Sequence, residues 1–192
     1  MSAVVTAPEI APENVRPLRR AEYDALVAAG SFADERIELL YGALIAMSPQ
    51  YPRHSAAVTT LSDLLTRALH GRAIVRVQMP LALSDDSEPE PDLAVVPLGD
   101  YDLAHPTTAH LVIEVAESTL RKDRALKARL HASTGVAEYW VVNLVDDVIE
   151  TFHDADGSAY TRTLTYGRGD VVRPSAFPDV ELEIARILPR RS

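Results

Sequence analysis

The chain alternates between stretches with the spacing of amphipathic helices and short apolar runs typical of buried strands. Helices are predicted over 19–30, 55–70 and 121–133. Strands are predicted at 36–47, 73–83, 93–96, 111–115, 138–144, 148–153 and 160–165, with a turn at Tyr41-Gly42 and a hairpin across 145–147. The residues from Pro174 onward are predicted to be loop. This order predicts an α/β or α+β core, in which helices flank a mixed central sheet.

The length of 192 residues fits one domain, and the sequence contains no internal repeat or linker. We expect a loose N-terminal arm at 1–17, a single domain at 18–188 and a C-terminal tail at 189–192.

The absence of cysteine excludes disulfides and thiolate metal sites, and it is consistent with a reducing cytoplasm. No apolar run is long enough to span a bilayer, and the N-terminus lacks the pattern of a signal peptide. The sequence therefore predicts a soluble cytoplasmic protein without a membrane partner.

The net charge of -9 counts against a protein that coats nucleic acid by bulk electrostatics. The charge is unevenly distributed, however, since 121–131 holds five Lys or Arg and one acid. The stretch 85–102 holds seven acids and no base: Asp85, Asp86, Glu88, Glu90, Asp92, Asp100 and Asp102. An acidic stretch of this kind can hold a cation, which can then meet a phosphate.

Two carboxylates stand out beside apolar strands. Asp92 lies at the start of 93–96, and Glu114 lies within 111–115, on the same face as Val112 and Ala116. Buried carboxylates are costly, and two neighbouring ones raise each other's pKa, so a divalent cation would relieve both penalties. Oxygen ligands suit Mg²⁺ or Mn²⁺. The alternatives are that Asp92 caps a loop and that Glu114 pairs with Arg121 or Arg124.

Four further residues are candidates for the same site. Asp123 and Lys127 lie at i and i+4 of the third helix, where they could form a surface ion pair. Alternatively, Lys127 lies above the metal and orients a water or neutralises phosphate charge. Glu38 is an acid within an apolar strand. His54, at the start of the second helix, is expected to be a cap, a solvated residue or an accessory site residue.

The sequence resembles the Uma-type family of restriction-endonuclease-like proteins, a branch of the PD-(D/E)XK nuclease superfamily. The resemblance extends from about residue 17 to about residue 185. The matching segments are 36–45, Met47-Ser48-Pro49, His54, Glu90-Pro91-Asp92-Leu93, 112–115, Ser118-Thr119, Asp123, Lys127 and 135–142.

The resemblance implies a restriction-endonuclease-like core, with Asp92 and Glu114 as metal ligands. The superfamily normally places a lysine two residues after the second acid, but here that position is Ala116. Lys127 on the following helix is the candidate replacement. Glu38 matches an acid that many superfamily members place before the core motif, where it could support a second ion or activate a water.

The leading functional hypothesis is Mg²⁺-dependent hydrolysis of DNA phosphodiester bonds, with a homodimer expected by analogy. The second hypothesis is a catalytically inert binding or assembly module with a nuclease fold, which the absent lysine and the acidic charge favour. A metal hydrolase of small phosphoesters ranks last, because no glycine-rich phosphate loop and no histidine-rich cluster is present.

Overall fold

The computed structural model describes residues 15–190 of the chain. Most of the predicted arm, 1–14, and the last two residues of the predicted tail lie outside the described residues. Val15, Arg16 and Pro17 are exposed. The proposed domain limits stay predictions.

Five α-helices and ten strands make up the described part of the chain. The helices are α1 (Arg20–Ala28), α2 (Pro52–Ala68), α3 (Leu120–Lys122), α4 (Ala128–Ser133) and α5 (Ile184–Ile187), and a π-helical segment (Asp123–Lys127) joins α3 to α4. The strands are β1 (Ile37–Leu40), β2 (Ala43–Ala46), β3 (Ile74–Val77), β4 (Leu93–Val96), β5 (Leu111–Ala116), β6 (Tyr139–Asn143), β7 (Val148–Ala155), β8 (Tyr160–Tyr166), β9 (Val171–Val172) and β10 (Leu182–Glu183).

Six strands form the central sheet, in the order β3-β4-β5-β6-β7-β8. Strands β5 and β6 pair in parallel, and every other neighbouring pair in this sheet is antiparallel. The segment from α3 to α4 is the crossover that a parallel pair requires. The predicted mixed sheet flanked by helices is therefore confirmed, as is the β6–β7 hairpin. Strands β1 and β2 form a separate hairpin, and β9 pairs with β10.

The long helix α2 is the main cover of one sheet face. Pro52 occupies its first turn, where a missing N–H costs nothing, and the helix buries Val58, Leu61 and Leu65. These side chains pack in one apolar cluster with Ile113 and Trp140 of the central sheet. The opposite sheet face carries Val112 and Ala116, which belong to a second cluster. Glu114 lies between them in the strand, as the alternation predicted.

Two predictions about secondary structure are wrong. The predicted strand over 73–83 ends at Val77, because Gln78 adopts a left-handed backbone with φ 51° that interrupts the extended chain. The region after Pro174 is not simply loop, since it contains β10 and α5. Helix α5 contacts α2. Apolar side chains of this region complete the core under α2: Phe177, Val180, Leu182, Ile184, Ile187 and Leu188.

Candidate functional site

Asp92 and Glu114 meet at the edge where β4 and β5 run antiparallel. Leu93 pairs with Ile113 in an antiparallel register. Asp92 precedes Leu93 and Glu114 follows Ile113, so this register places Asp92 opposite Glu114. The backbone N–H of Val115 donates to Asp92 Oδ2 at 2.8 Å. Asp92 is 8 % exposed and Glu114 is 5 % exposed. The fold thus brings the two predicted carboxylates together in a largely buried place.

Lys127 reaches these carboxylates from the helix that follows β5. Its ammonium donates to Glu114 Oε1 at 2.8 Å and lies 3.0 Å from Glu38 Oε2. Lys122 also donates to Glu38, at 3.2 Å from Oε1. Lys127 is 3 % exposed, so it does not belong to a surface ion pair. Arg124, one alternative partner of Glu114, instead binds Glu150.

The π-helical segment determines how this helix presents its charges. The backbone N–H of Ala128 contacts the carbonyl of Asp123, five residues earlier, in place of the α-helical spacing of four. Asp123 and Lys127 are both buried within this segment. The hydroxyl of Thr119 donates a hydrogen bond to Asp123 Oδ2. Asp123 therefore lies in the same buried cluster as Lys127, where the sequence suggested a surface ion pair as one alternative.

His54 lies in the first turn of α2, with Nε2 3.0 Å from Asp92 Oδ2. Gln78 donates to the other carboxylate oxygen, Oδ1, at 3.2 Å. His54 is thus neither a helix cap nor a solvated residue, because it holds Asp92 from one side. Sequence reasoning missed Gln78 and Lys122. A polar residue just after β3 was the one available signal for Gln78, and Lys122 lay within the basic stretch already noted.

Burial is the largest single influence on the pKa values of this cluster. Burial raises the pKa of Glu114 well above its usual value despite Lys127, and the charges of Asp92, Asp123 and Glu38 add to that rise. Burial alone would lower the pKa of Lys127, but Glu114, Glu38 and Asp123 outweigh it and raise that pKa. Burial also raises the pKa of Asp123.

Asp92 differs from the other carboxylates of the cluster. Burial favours its neutral form, but hydrogen bonds from His54, Val115 and Gln78 outweigh burial, and the net pKa of Asp92 is lowered. Asp92 is therefore ionised at neutral pH. Four carboxylates, those of Glu38, Asp92, Glu114 and Asp123, share the cleft with the ammonium groups of Lys122 and Lys127. A divalent cation would favour the ionised forms of Glu114 and Asp123, whose pKa values burial raises.

The cleft between these residues encloses a cavity of about 50 Å³, which is enough for a few waters. No cluster of three or more His, Asp or Glu suited to a metal occurs within residues 15–190. Two carboxylates supplemented by waters are nevertheless a usual way to bind Mg²⁺. The donors of Asp92 and Glu114 fit such an ion.

The Uma2 family, described as "Putative restriction endonuclease", matches the chain over residues 20–185. The chain belongs to this family. The match spans the cleft and the entire central sheet. The resemblance inferred from the sequence segments is confirmed.

A solved structure shares the fold of this Uma2 family member. It is a putative nuclease belonging to DUF820 from Anabaena variabilis, with a TM-score of 0.71 and 15 % sequence identity. The similarity covers 89 % of this chain and 97 % of that one. The chain therefore has a nuclease-like fold. The comparison with curated proteins found no match. Over 15–190, none of the helices combines the length and apolarity that crossing a membrane would need.

Proposed function

We propose that this Uma2 family protein is a Mg²⁺- or Mn²⁺-dependent endonuclease that hydrolyses DNA phosphodiester bonds. One observation carries the proposal: Lys127 Nζ lies 2.8 Å from Glu114 Oε1, although the superfamily's usual lysine position is occupied by Ala116. A carboxylate pair that can hold a metal ion, beside a buried cationic donor, suits phosphodiester hydrolysis assisted by a metal. Family membership and the nuclease-like fold support the same reaction class.

Asp92 and Glu114 are the residues that would hold the divalent cation. When bound, such a cation supplies an acidified water and stabilises negative charge on the phosphate. Asp92 is prepared for this role, because its lowered pKa keeps it ionised and three hydrogen bonds fix its orientation. His54 and Gln78 act as positioning residues, since each donates to one oxygen of Asp92.

Lys127 acts in this proposal as a cationic donor and not as a base. Its raised pKa keeps the ammonium protonated at neutral pH. An ammonium has three N–H donors, and the contacts with Glu114 and Glu38 use two of them. The third would donate to a phosphate oxygen, where a preorganised donor stabilises the developing charge. Glu38 is fully buried and positions Lys127.

The test is cleavage of single-stranded, duplex and branched DNA with Mg²⁺, Mn²⁺ or EDTA. Asp92→Asn keeps the size of the side chain and removes its charge. We expect cleavage to fall by at least about 100-fold, the usual scale for losing one catalytic electrostatic contact. Asp63→Asn is the matched control, because Asp63 is exposed on α2 and pairs with Arg67. Undiminished cleavage by Asp92→Asn would contradict the assignment.

A nuclease-fold module without catalytic activity is the second candidate, and one observation favours it. Lys127 pairs with Glu114 and His54 contacts Asp92, so groups of the protein already occupy carboxylate oxygens that a cation would need. Calorimetric titration of the intact protein with Mg²⁺ and Mn²⁺ separates the two candidates. An endonuclease binds metal and loses that binding in Asp92→Asn. A protein that neither binds metal nor cleaves any of the DNA substrates is the inert module.

A further inference from the structure

The acidic stretch 85–102 contributes residues to the candidate metal site, and it also lines a second cavity. This cavity has a volume of about 550 Å³, within the usual range of small-molecule sites. Asp92 is not among its lining residues. The walls combine acids and aromatic rings with two basic side chains, and they include Tyr23, Glu88, Glu90, Tyr101, Arg20 and His105.

Glu88 is the residue of this cavity that needs an explanation. It is 4 % exposed, and within residues 15–190 nothing donates a hydrogen bond to its buried Oε2. The nearest cation is Arg20, whose Nη1 lies 3.9 Å from Oε2 and 3.6 Å from Asp24. A buried carboxylate oxygen without a hydrogen-bond donor is rare in native proteins and requires a physical reason. Burial, with Asp24 and Glu90 nearby, raises the pKa of Glu88 to about 7.

The walls of the cavity indicate which kind of ligand would satisfy Glu88. Val27 and Leu103 add apolar surface beside the two tyrosines. Aromatic and aliphatic walls around a carboxylate suit a cation on an apolar stem. We propose that this cavity binds an organic cation, an ammonium or guanidinium group on a short alkyl stem, through Glu88.

The proposed site lies next to the catalytic cleft. Glu90 lines both cavities, and its backbone N–H donates to Glu38 Oε2 at 3.3 Å. Glu38 in turn holds Lys127. A bound cation would therefore be separated from Lys127 by a short chain of contacts. The binding itself does not depend on whether the protein cleaves DNA, so it can be tested independently.

Butylammonium, butylguanidinium and a capped Gly-Arg-Gly peptide are the probes, titrated at constant ionic strength against NaCl and followed by calorimetry. Glu88→Gln should weaken binding by at least about tenfold, because the charged acceptor is removed. Glu183→Gln, an exposed glutamate outside the cavity, should bind as the parent does. Tighter binding of the peptide than of the free amines would identify a protein partner as the source of the cation.

Amide chemical-shift mapping on the parent protein makes the test independent of how the variant folds. Shifts should concentrate at Glu88, Tyr101 and Leu103. Equal binding by Glu88→Gln and the parent, shifts spread over the surface, or no binding beyond that of Na⁺ would each overturn the proposal.

Discussion

The two faces of the central sheet bury very different chemistry. The apolar face, with Leu93, Ile113 and Trp140, packs against α2 and the C-terminal segment. The opposite face, called the charged face below, adds Glu114 to an apolar cluster that includes Val112 and Ala116, and Lys127 covers this carboxylate. On β5, the neighbouring residues that point to the two faces are both buried, since Ile113 is 0 % exposed and Glu114 is 5 % exposed.

The apolar face mainly stabilises the fold, whereas the charged face holds the residues of the candidate site. Burial of aliphatic side chains stabilises a protein directly. A buried ion pair contributes little net stability, because the cost of desolvation offsets most of its attraction, yet losing one partner is expensive. We therefore expect substitutions on the two faces to separate stability from activity.

Lys127→Met should have the largest effect on stability. It leaves Glu114 and Glu38 buried without the ammonium between them, which costs about 3–5 kcal/mol of unfolding free energy. Urea denaturation at neutral pH measures the loss. The double variant Lys127→Met with Glu114→Gln should recover most of it while remaining unable to cleave DNA. If Lys127→Met is as stable as the parent, the charged face does not depend on this ion pair.

Ile113→Ala should have the next largest effect, on the apolar face alone. Removing a fully buried isoleucine leaves a cavity under α2 and costs about 3 kcal/mol. Because Glu114 points to the other face, metal affinity measured well below the melting temperature should stay at the parental value. A parallel loss of metal binding would mean that the two faces are energetically coupled.

His131→Phe should have a smaller effect that depends on pH. His131 is fully buried behind Lys127 and contacts the ring of Tyr139, with centroids 5.0 Å apart. Burial and the Lys127 charge lower its pKa to about 3. The folded pKa lies below the unfolded value of about 6.5, so the unfolded chain binds more protons in this window. The stability gained by keeping His131 neutral is complete above that value and is lost as the pH falls.

Between about pH 7 and pH 5 the parent should lose roughly 2 kcal/mol through His131, a loss that His131→Phe should not show. Urea titrations at the two pH values measure the difference. His70→Phe is the control, since His70 is exposed and should leave the pH dependence as in the parent. Equal pH dependence in all three proteins would contradict the buried neutral state of His131.

Much of this fold follows from local patterns in the sequence. Alternation in 111–115 predicted that Glu114 would share a face with Val112 and Ala116, and the apolar runs predicted most strands of the sheet. The region after Pro174 was missed, because its apolar residues are scattered among prolines and loops. These residues can be recognised as core residues only when they are seen packed against α2.

The predicted site depended on contacts that sequence spacing does not encode. The sequence placed Lys127 on the right helix, but one of its two ion-pair partners is Glu38, a residue from a separate hairpin. Gln78 reaches Asp92 next to a left-handed backbone, a conformation that a glutamine does not predict. Local patterns therefore predict some members of the cluster, whereas the contacts made by residues distant in sequence become clear only from the structure.

The π-helical segment makes the position of Lys127 sensitive to chain length. A π turn has one residue more than the α-helical turn it replaces, and Ala125 within it is exposed. Loss of one such residue would restore a regular helix and rotate the lysine by about 100° relative to the residues before it. A related chain could thus keep every charged residue and still lose the cluster through one deletion. An alignment of such chains therefore has to check the length of the π-helical segment as well as the identity of its residues.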